Sequence, residues 1–209
     1  MKNLFVFIMS FFLFSCIKSQ NREKGIELKI SNKEIKNGDF VNIEFTNNTN
    51  KVYYLPIDFT DFLFEINMLS NKEQKLFFLN EKVVDSNGGD VDMLGEITTT
   101  HYVNDLYSDW NKHLSQKRIS DIIIVKPKEK KMFSFPFYII KNSKYYEFEW
   151  FKYNFTHKEN FLYYIYQGNM IDLEQSLFSK SLLDSLETLG YKLYEKEIIS
   201  NKVPIILEK

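Results

Sequence analysis

The sequence predicts a mainly β fold, an antiparallel β-sandwich that carries one inserted helix and one helix near the C-terminus. Short runs of alternating apolar and polar residues recur along the chain, separated by turn residues at intervals of about 10 residues. Two longer segments instead repeat their apolar residues with the period of a helix. The sequence has no internal repeat and no low-complexity linker, which indicates one domain over residues 25–209.

The alternating runs predict the strands in order. In the first run, apolar and charged residues alternate. Asn37, Gly38 and Asp39 predict a turn before the second run. Pro56 ends the third, because proline cannot donate a hydrogen bond to a neighbouring strand. The predicted strands are residues 26–30, 41–45, 52–55, 62–69, 76–84, 122–125, 132–140, 145–155, 161–166 and 191–199, with an edge-like, proline-containing strand at 203–207.

Two segments predict helices. An insertion around residues 95–118 contains the run 101–116, whose apolar residues fall on one helical face. Residues 171–189 carry a stripe of leucines at the same spacing, and Gly190 follows where a helix end favours a left-handed residue. The apolar residues of the inserted helix are Tyr102, Val103, Leu106, Tyr107, Trp110 and Leu114.

The N-terminal segment predicts export from the cytoplasm. Lys2 precedes an almost purely apolar run over residues 4–14. That run is about 16 Å long as a helix, whereas a bilayer core of about 30 Å requires about 20 residues. The run is therefore too short to span a membrane and has the size of a signal-peptide core.

Cys16 is the only cysteine and stands directly after this run. The segment Leu13-Phe14-Ser15-Cys16 resembles the lipobox of bacterial lipoproteins. The resemblance implies a signal peptide at residues 1–15, cleavage before Cys16, diacylation of its thiol and a polar tether over residues 16–24. A single cysteine cannot form an internal disulfide, which agrees with a lipidated thiol. A plain signal peptide, and a buried N-terminal strand with a free cysteine, are the alternatives.

The residues after Cys16 predict the location. Ile17 stands where an aspartate would resemble an inner-membrane retention signal, and no acidic run resembling a surface-export signal follows. We therefore expect attachment to the outer membrane of the cell envelope through the lipidated N-terminus, with the domain facing the periplasm.

Composition excludes one class of partner. The chain has 27 Lys+Arg against 28 Asp+Glu, so it lacks the basic surplus of a nucleic-acid-binding protein. It contains no alanine but 20 Phe and 13 Tyr. These preferences follow AT-rich codons and resemble the residue usage of low-GC Bacteroidota. Genome composition is thus favoured over a sugar-stacking surface as the cause of the high aromatic content.

Two motifs resemble bacterial Ig-like domains. Residues 38–49 follow the pattern G-D-x-V-x-I-x-F-x-N-x-T, which in those domains forms the second strand and its exit turn. Residues 125–133 are similar to the l-x-P-x-E-x-x-x-F start of a later strand. The resemblance implies an Ig-like β-sandwich, and some small Ig-like bacterial proteinase inhibitors share both features.

Two groups of side chains have the chemistry of metal ligands, but neither predicts a metal site. The first group is spaced by four residues over about 18 Å of helix, so its members cannot all meet one ion, and we interpret it as a solvated helix face. The second surrounds two glycines but lacks the order of an EF-hand loop, and we interpret it as a turn. The groups are His101, Asp105, Asp109 and His113, and Asp85, Asn87, Asp90 and Asp92.

No catalytic site is predicted. Glu147 and Glu149 would share a strand face about 6–7 Å apart, but their alternation with aromatic residues is typical of an amphipathic strand. His157 has no nucleophile near it in sequence. The chain has no nucleophile elbow, phosphate-binding glycine loop or cysteine nucleophile, so we expect no enzyme activity and no cofactor.

Four aromatic residues are the candidates for an exposed binding surface: Tyr53, Trp110, Tyr145 and Tyr153. Exposed rings of this kind stack on sugars or peptides, but burial of these rings in the core is the favoured alternative. The sequence therefore predicts a membrane-anchored, non-enzymatic binding or accessory protein that contacts an envelope protein or a glycan. A glycan-binding lipoprotein and an Ig-like proteinase inhibitor are the alternatives.

Overall fold

The structure is a computed structural model, and it describes residues 25–57, 79–96, 112, 115–141, 150–170 and 178–207. Within these residues the chain forms fourteen strands, one α-helix with both ends described, and the short 3-10 helices Ile119–Asp121 and Gly168–Met170. Lys112 and Ser115, in the range of the predicted inserted helix, are also helical. The strands are β1 (Ile26–Ile30), β2 (Ile35–Lys36), β3 (Phe40–Asn47), β4 (Tyr53–Leu55), β5 (Asn80–Asp85), β6 (Met93–Glu96), β7 (Ile123–Val125), β8 (Lys130–Pro136), β9 (Ile140–Lys141), β10 (Trp150–Tyr153), β11 (Asn160–Gln167), β12 (Lys192–Leu193), β13 (Glu197–Ile199) and β14 (Val203–Ile206). The helix is α1 (Lys180–Thr188).

Two larger sheets enclose the main hydrophobic core. The first has the order β1-β3-β8 and is antiparallel. In the second, β11 pairs with β5 along one edge and with β13 and β14 along the other. β14 also pairs with β2, and this pairing is parallel. The mainly β fold is thus confirmed, and the arrangement is consistent with a β-sandwich.

The alternation of buried and more exposed side chains along the strands shows where the core lies. Along β3 and β11 every second side chain is buried, as the period-2 pattern predicts. Phe45 of the first sheet and Tyr164 of the second are fully buried, and Phe135 meets Tyr164 edge to face with ring centroids 5.5 Å apart. Burial of each such apolar side chain contributes about 1.5–3 kcal/mol to folding.

The helix covers a second, smaller core. Leu182 and Leu186 on one face of α1 pack with Tyr54, Ile122 and Phe178. This cluster lies against the sheet β12-β4-β7. The predicted C-terminal helix is therefore confirmed over Lys180–Thr188. Its prediction was wrong at Phe178 and Ser179, which are not helical because Ser179 is the extended N-cap; residues 171–177 lie outside the described residues.

Gly190 ends the helix as predicted. Its φ is +71°, in the left-handed region that L-residues with a side chain rarely adopt. The Gly190 N–H donates to Glu187 O at 2.8 Å and the Tyr191 N–H donates to Leu186 O at 3.0 Å. These two bonds form a Schellman motif.

Three predicted strands differ from the observed ones. The run 132–140 divides into β8 and β9, because its two parts pair with different sheets. The Phe137 N–H donates to Asp39 O beside β3, whereas Ile140 pairs with Lys152 of β10. The run 191–199 divides into β12 and β13. The prediction of an edge strand at 203–207 was wrong, since β14 pairs with β11 on one side and β2 on the other.

Pro204 is tolerated in β14 because the two pairings are offset. It lies opposite Phe161 of β11, while pairing with β2 begins only at Ile205. The absent N–H therefore interrupts no bond to β2.

Several sequence-based predictions fall outside the described residues. They are the signal peptide and tether at residues 1–24, the strand at 62–69, the inserted helix over 101–111, and most of the strand at 145–155.

Candidate functional site

The sequence-predicted site residues divide into two groups. Cys16, Trp110 and Tyr145 lie outside the described residues. Tyr53 and Tyr153 lie inside, and the structure places both against the interior of the domain.

Tyr153 is buried, with 4% of its surface exposed, so the prediction of an exposed ring was wrong. It is the last residue of β10, and its ring stacks against Phe137 at a centroid distance of 6.2 Å. Its hydroxyl donates a hydrogen bond to Glu81 Oε1. This candidate for a binding ring thus lies in the core, which was the favoured alternative.

Glu81 joins two buried tyrosines. Its Oε2 accepts a hydrogen bond of 2.8 Å from the Tyr164 hydroxyl, while Oε1 accepts the one from Tyr153. Burial, followed by the charge of Glu81, raises the pKa of both tyrosines well above their ordinary value. Both phenols are therefore neutral donors at physiological pH, and the group ties β5, β10 and β11 together.

Tyr53 is half-buried at the start of β4 and meets Tyr194 edge to face, with centroids 5.1 Å apart. The Tyr194 hydroxyl accepts a hydrogen bond of 3.1 Å from the Ile26 N–H, where the chain enters the domain. Tyr194 O in turn accepts from the Tyr166 hydroxyl at 2.8 Å. Tyr53 thus supports a tyrosine cluster that fixes the start of β1.

Asp85 organises the loop that was interpreted as a turn, and the structure confirms the turn. Asp85 Oδ1 accepts hydrogen bonds from the N–H groups of Asn87 and Gly89, at 2.8 and 3.0 Å. His157 Nε2 lies 3.3 Å from Oδ2. Bonding from the Gly89 N–H, together with Asn87 and His157, lowers the pKa of Asp85. Its carboxylate is occupied by the loop itself.

Among the residues that the structure describes, no group of three or more His, Cys, Asp or Glu side chains could hold a metal ion. Within the same part of the chain, no helix has the length and apolar character needed to cross a membrane.

Exposed apolar side chains lie on neighbouring strands in two sheets, a feature that the sequence reasoning missed. Phe40 is 60% exposed, Ile140 48% and Leu94 50%, and Tyr138 and Pro136 are also exposed. Cross-strand pairing brings Phe40 opposite Pro136, and places Lys152 between Leu94 and Ile140. We name these five side chains the apolar strip: Phe40 and Pro136 lie on one sheet, Leu94 and Ile140 on another, and Tyr138 lies between β8 and β9.

A signal for the strip exists in the sequence. Over residues 130–140 the odd positions face inward and the even positions are exposed. Apolar residues occupy both sets from residue 135 to 140, so this run is apolar on both faces rather than amphipathic. A strand with one solvated face normally alternates, so a run that is apolar at both sets of positions is a candidate for an interaction surface.

No protein-family model, no curated protein and no solved structure matches this chain. The candidate site therefore stands on its geometry alone: an exposed apolar strip, with the charged and phenolic groups beneath it engaged in structural bonds.

Proposed function

We propose that the protein is an envelope lipoprotein, held in the outer membrane by acylated Cys16 and facing the periplasm, which acts as a non-enzymatic binding or accessory protein. Its domain, in this proposal, is an Ig-like β-sandwich. The observation that carries the binding role is the apolar strip, because exposed apolar side chains grouped on neighbouring strands are typical of interaction surfaces.

The position of the strip supports an anchored binding protein. The chain enters the domain at Gly25, whose carbonyl accepts a hydrogen bond from the Asn48 N–H. Ile26 pairs with Asn47 at one end of β3, and Phe40 begins β3 at the other end. Seven residues of strand separate them, about 23 Å. Phe40 therefore lies at the opposite end of β3 from Gly25, the first described residue.

The polar groups of the described residues support a non-enzymatic role. Glu81 bonds two tyrosines and Asp85 bonds its own loop, so neither carboxylate is directed at a substrate. A general acid or base needs a reacting group within hydrogen-bond reach in an accessible cleft. The glycan-binding alternative loses two of its four aromatic candidates, since Tyr53 and Tyr153 pack into the domain.

Lipid attachment is tested by growing cells that express wild type or Cys16→Ser with an alkyne-tagged fatty acid. Wild type should incorporate the label, lose about 15 residues in mass and sediment with outer membranes, because two or more acyl chains anchor a protein stably. Cys16→Ser should be unlabelled. Ser19→Ala, three residues away in the tether, is the matched control and should behave like wild type. Equal labelling of Cys16→Ser would overturn the lipoprotein proposal.

A further inference from the structure

We propose that Asn87 is a site of spontaneous deamidation in the folded protein, whereas the fold protects Asn37, the other asparagine that is followed by a glycine. This inference goes beyond the proposed function and does not depend on it. Deamidation adds a negative charge and can lengthen the backbone, so the loop after β5 is a place where the protein changes chemically with age.

The reaction requires only water and a side-chain amide that can reach the next backbone nitrogen. That nitrogen attacks the amide carbon of the asparagine, a succinimide ring closes, and ammonia leaves with the proton of the attacking nitrogen. Water then opens the ring at one of its two carbonyls. One opening gives aspartate, and the other gives isoaspartate, in which the backbone runs through the former side chain.

The sequence offers two such sites that can be compared within one molecule. Asn-Gly occurs at Asn37-Gly38 and at Asn87-Gly88. Both asparagines are exposed, and both glycines have a φ of +85°. Because glycine has no side chain to hinder ring closure, the two pairs should react at nearly the same rate in the unfolded chain. Any difference in the folded protein then comes from their surroundings.

The side chain of Asn37 is held by a distant part of the chain. Its Oδ1 accepts a hydrogen bond of 2.8 Å from the Ile139 N–H, 102 positions away. The nitrogen of Gly38, which would be the attacking atom, donates its proton to Phe137 O at 2.7 Å. Ring closure at Asn37 therefore requires that both bonds to residues 137–139 break.

The side chain of Asn87 is not held in this way. Its turn is closed by the backbone and by Asp85, whose Oδ1 accepts from the N–H groups of Asn87 and Gly89 at 2.8 and 3.0 Å. Among the residues that the structure describes, the side-chain amide of Asn87 makes no hydrogen bond. The Gly88 N–H donates to Asp85 O at 3.1 Å, a bond within the same turn. Ring closure here breaks only that local bond.

The products alter the loop that Asp85 organises. An isoaspartate at position 87 adds one carbon to the backbone and so displaces the Gly89 N–H from Asp85 Oδ1. Either product also places a second carboxylate close to that of Asp85, which lies 3.3 Å from His157 Nε2. Deamidation should therefore loosen the loop between β5 and β6.

The test is incubation of the full-length protein in detergent, at physiological temperature and mildly alkaline pH, followed by peptide mass spectrometry with chromatographic separation of aspartate from isoaspartate. Deamidation at Asn87 should be about tenfold faster than at Asn37, since the bonds from Ile139 and to Phe137 must be lost before Asn37 reacts. Asn87→Gln should abolish the early deamidation, because the longer side chain closes a ring far more slowly. Asn37→Gln is the matched control and should leave the rate at Asn87 unchanged.

The same measurement in urea separates the fold from the local sequence. There Asn37 should react as fast as Asn87, because the bonds from Ile139 and to Phe137 are gone. The proposal is overturned if the two sites react equally in the folded protein, or if Asn87 stays intact while the urea-unfolded chain reacts. It is also overturned if the difference persists in urea, since neighbouring residues rather than the fold would then set the rates.

Discussion

At the residue scale, Asn47 shows which hydrogen bonds are made by the motif that resembles bacterial Ig-like domains. Asn47 is fully buried at the end of β3. Its amide nitrogen donates to Lys51 O and Val125 O at 2.8 and 2.9 Å, and its oxygen accepts from the N–H and hydroxyl of Thr49 at 3.0 and 2.8 Å. The N-x-T end of the motif is thus a hydrogen-bonded junction that connects the turn after β3 to β7.

Asn47→Ala should reduce the free energy of unfolding by about 2–4 kcal/mol, because it leaves several buried backbone groups without partners. Asn48→Ala is the matched control, since the Asn48 side-chain nitrogen has no hydrogen-bond partner among the described residues. It should change stability by less than about 1 kcal/mol. Urea unfolding followed by circular dichroism measures both; similar losses in the two variants would contradict this account of the junction.

At the element scale, local signals located the buried face and the end of the C-terminal helix, but not its start at Lys180. A leucine stripe predicted its buried face, and Gly190 predicted its end, because both depend on neighbouring residues within two turns. Ser179 accepts a hydrogen bond of 3.3 Å from the Leu182 N–H and caps the other end. Strand ends were predicted less well, as in the run that divides into β8 and β9, because they depend on which distant strand is available to pair.

Gly190→Ala should destabilise the protein by about 1 kcal/mol, since the left-handed conformation is unfavourable for a residue with a Cβ atom. A Cβ at this position would meet no atom within 4 Å, so the loss would come from the backbone alone. Gly190→Asn should lose less, because asparagine tolerates this conformation. Thermal unfolding of the three proteins tests the order; a larger loss for asparagine than for alanine would refute it.

At the scale of the whole molecule, buried tyrosines couple stability to alkaline pH. Burial, then the charge of Glu81, raises the pKa of Tyr153 and Tyr164, and burial raises that of Tyr166. In the unfolded chain these phenols ionise near pH 10. Above that pH the unfolded state binds fewer protons than the folded state, so the free energy of unfolding falls as pH rises.

The contribution of these tyrosines to the free energy of unfolding should therefore be constant below about pH 10. Above that pH the free energy of unfolding should fall by about 1.4 kcal/mol per pH unit for each tyrosine that stays protonated in the folded state. Urea unfolding at a series of pH values measures the slope. In Tyr164→Phe the fall of the free energy of unfolding with pH should be smaller by the contribution of one tyrosine. Equal slopes in Tyr164→Phe and wild type would show that Tyr164 does not contribute.

Long-range bonds also decided the assembly of the two sheets. Between Ile199 and Val203 the C-terminal chain has one residue more than the facing part of β11 requires, which makes a bulge. Asn201 in this bulge accepts from the Ile30 N–H at 2.8 Å and donates to Ile30 O at 3.1 Å. The residues that bond here are 171 positions apart, so no local pattern in the sequence could have indicated the pairing.

The sequence by itself determined the mainly β fold, the turn at Gly38, the buried face of α1 and its end at Gly190, because these features follow from residues close together in the chain. The tertiary structure alone decided which aromatic rings are covered. Period-2 alternation separates the two faces of a strand, but it does not say which face another sheet will bury. Tyr153 is therefore in the core and Tyr138 on the surface, since packing between sheets, rather than side-chain type, sets their exposure.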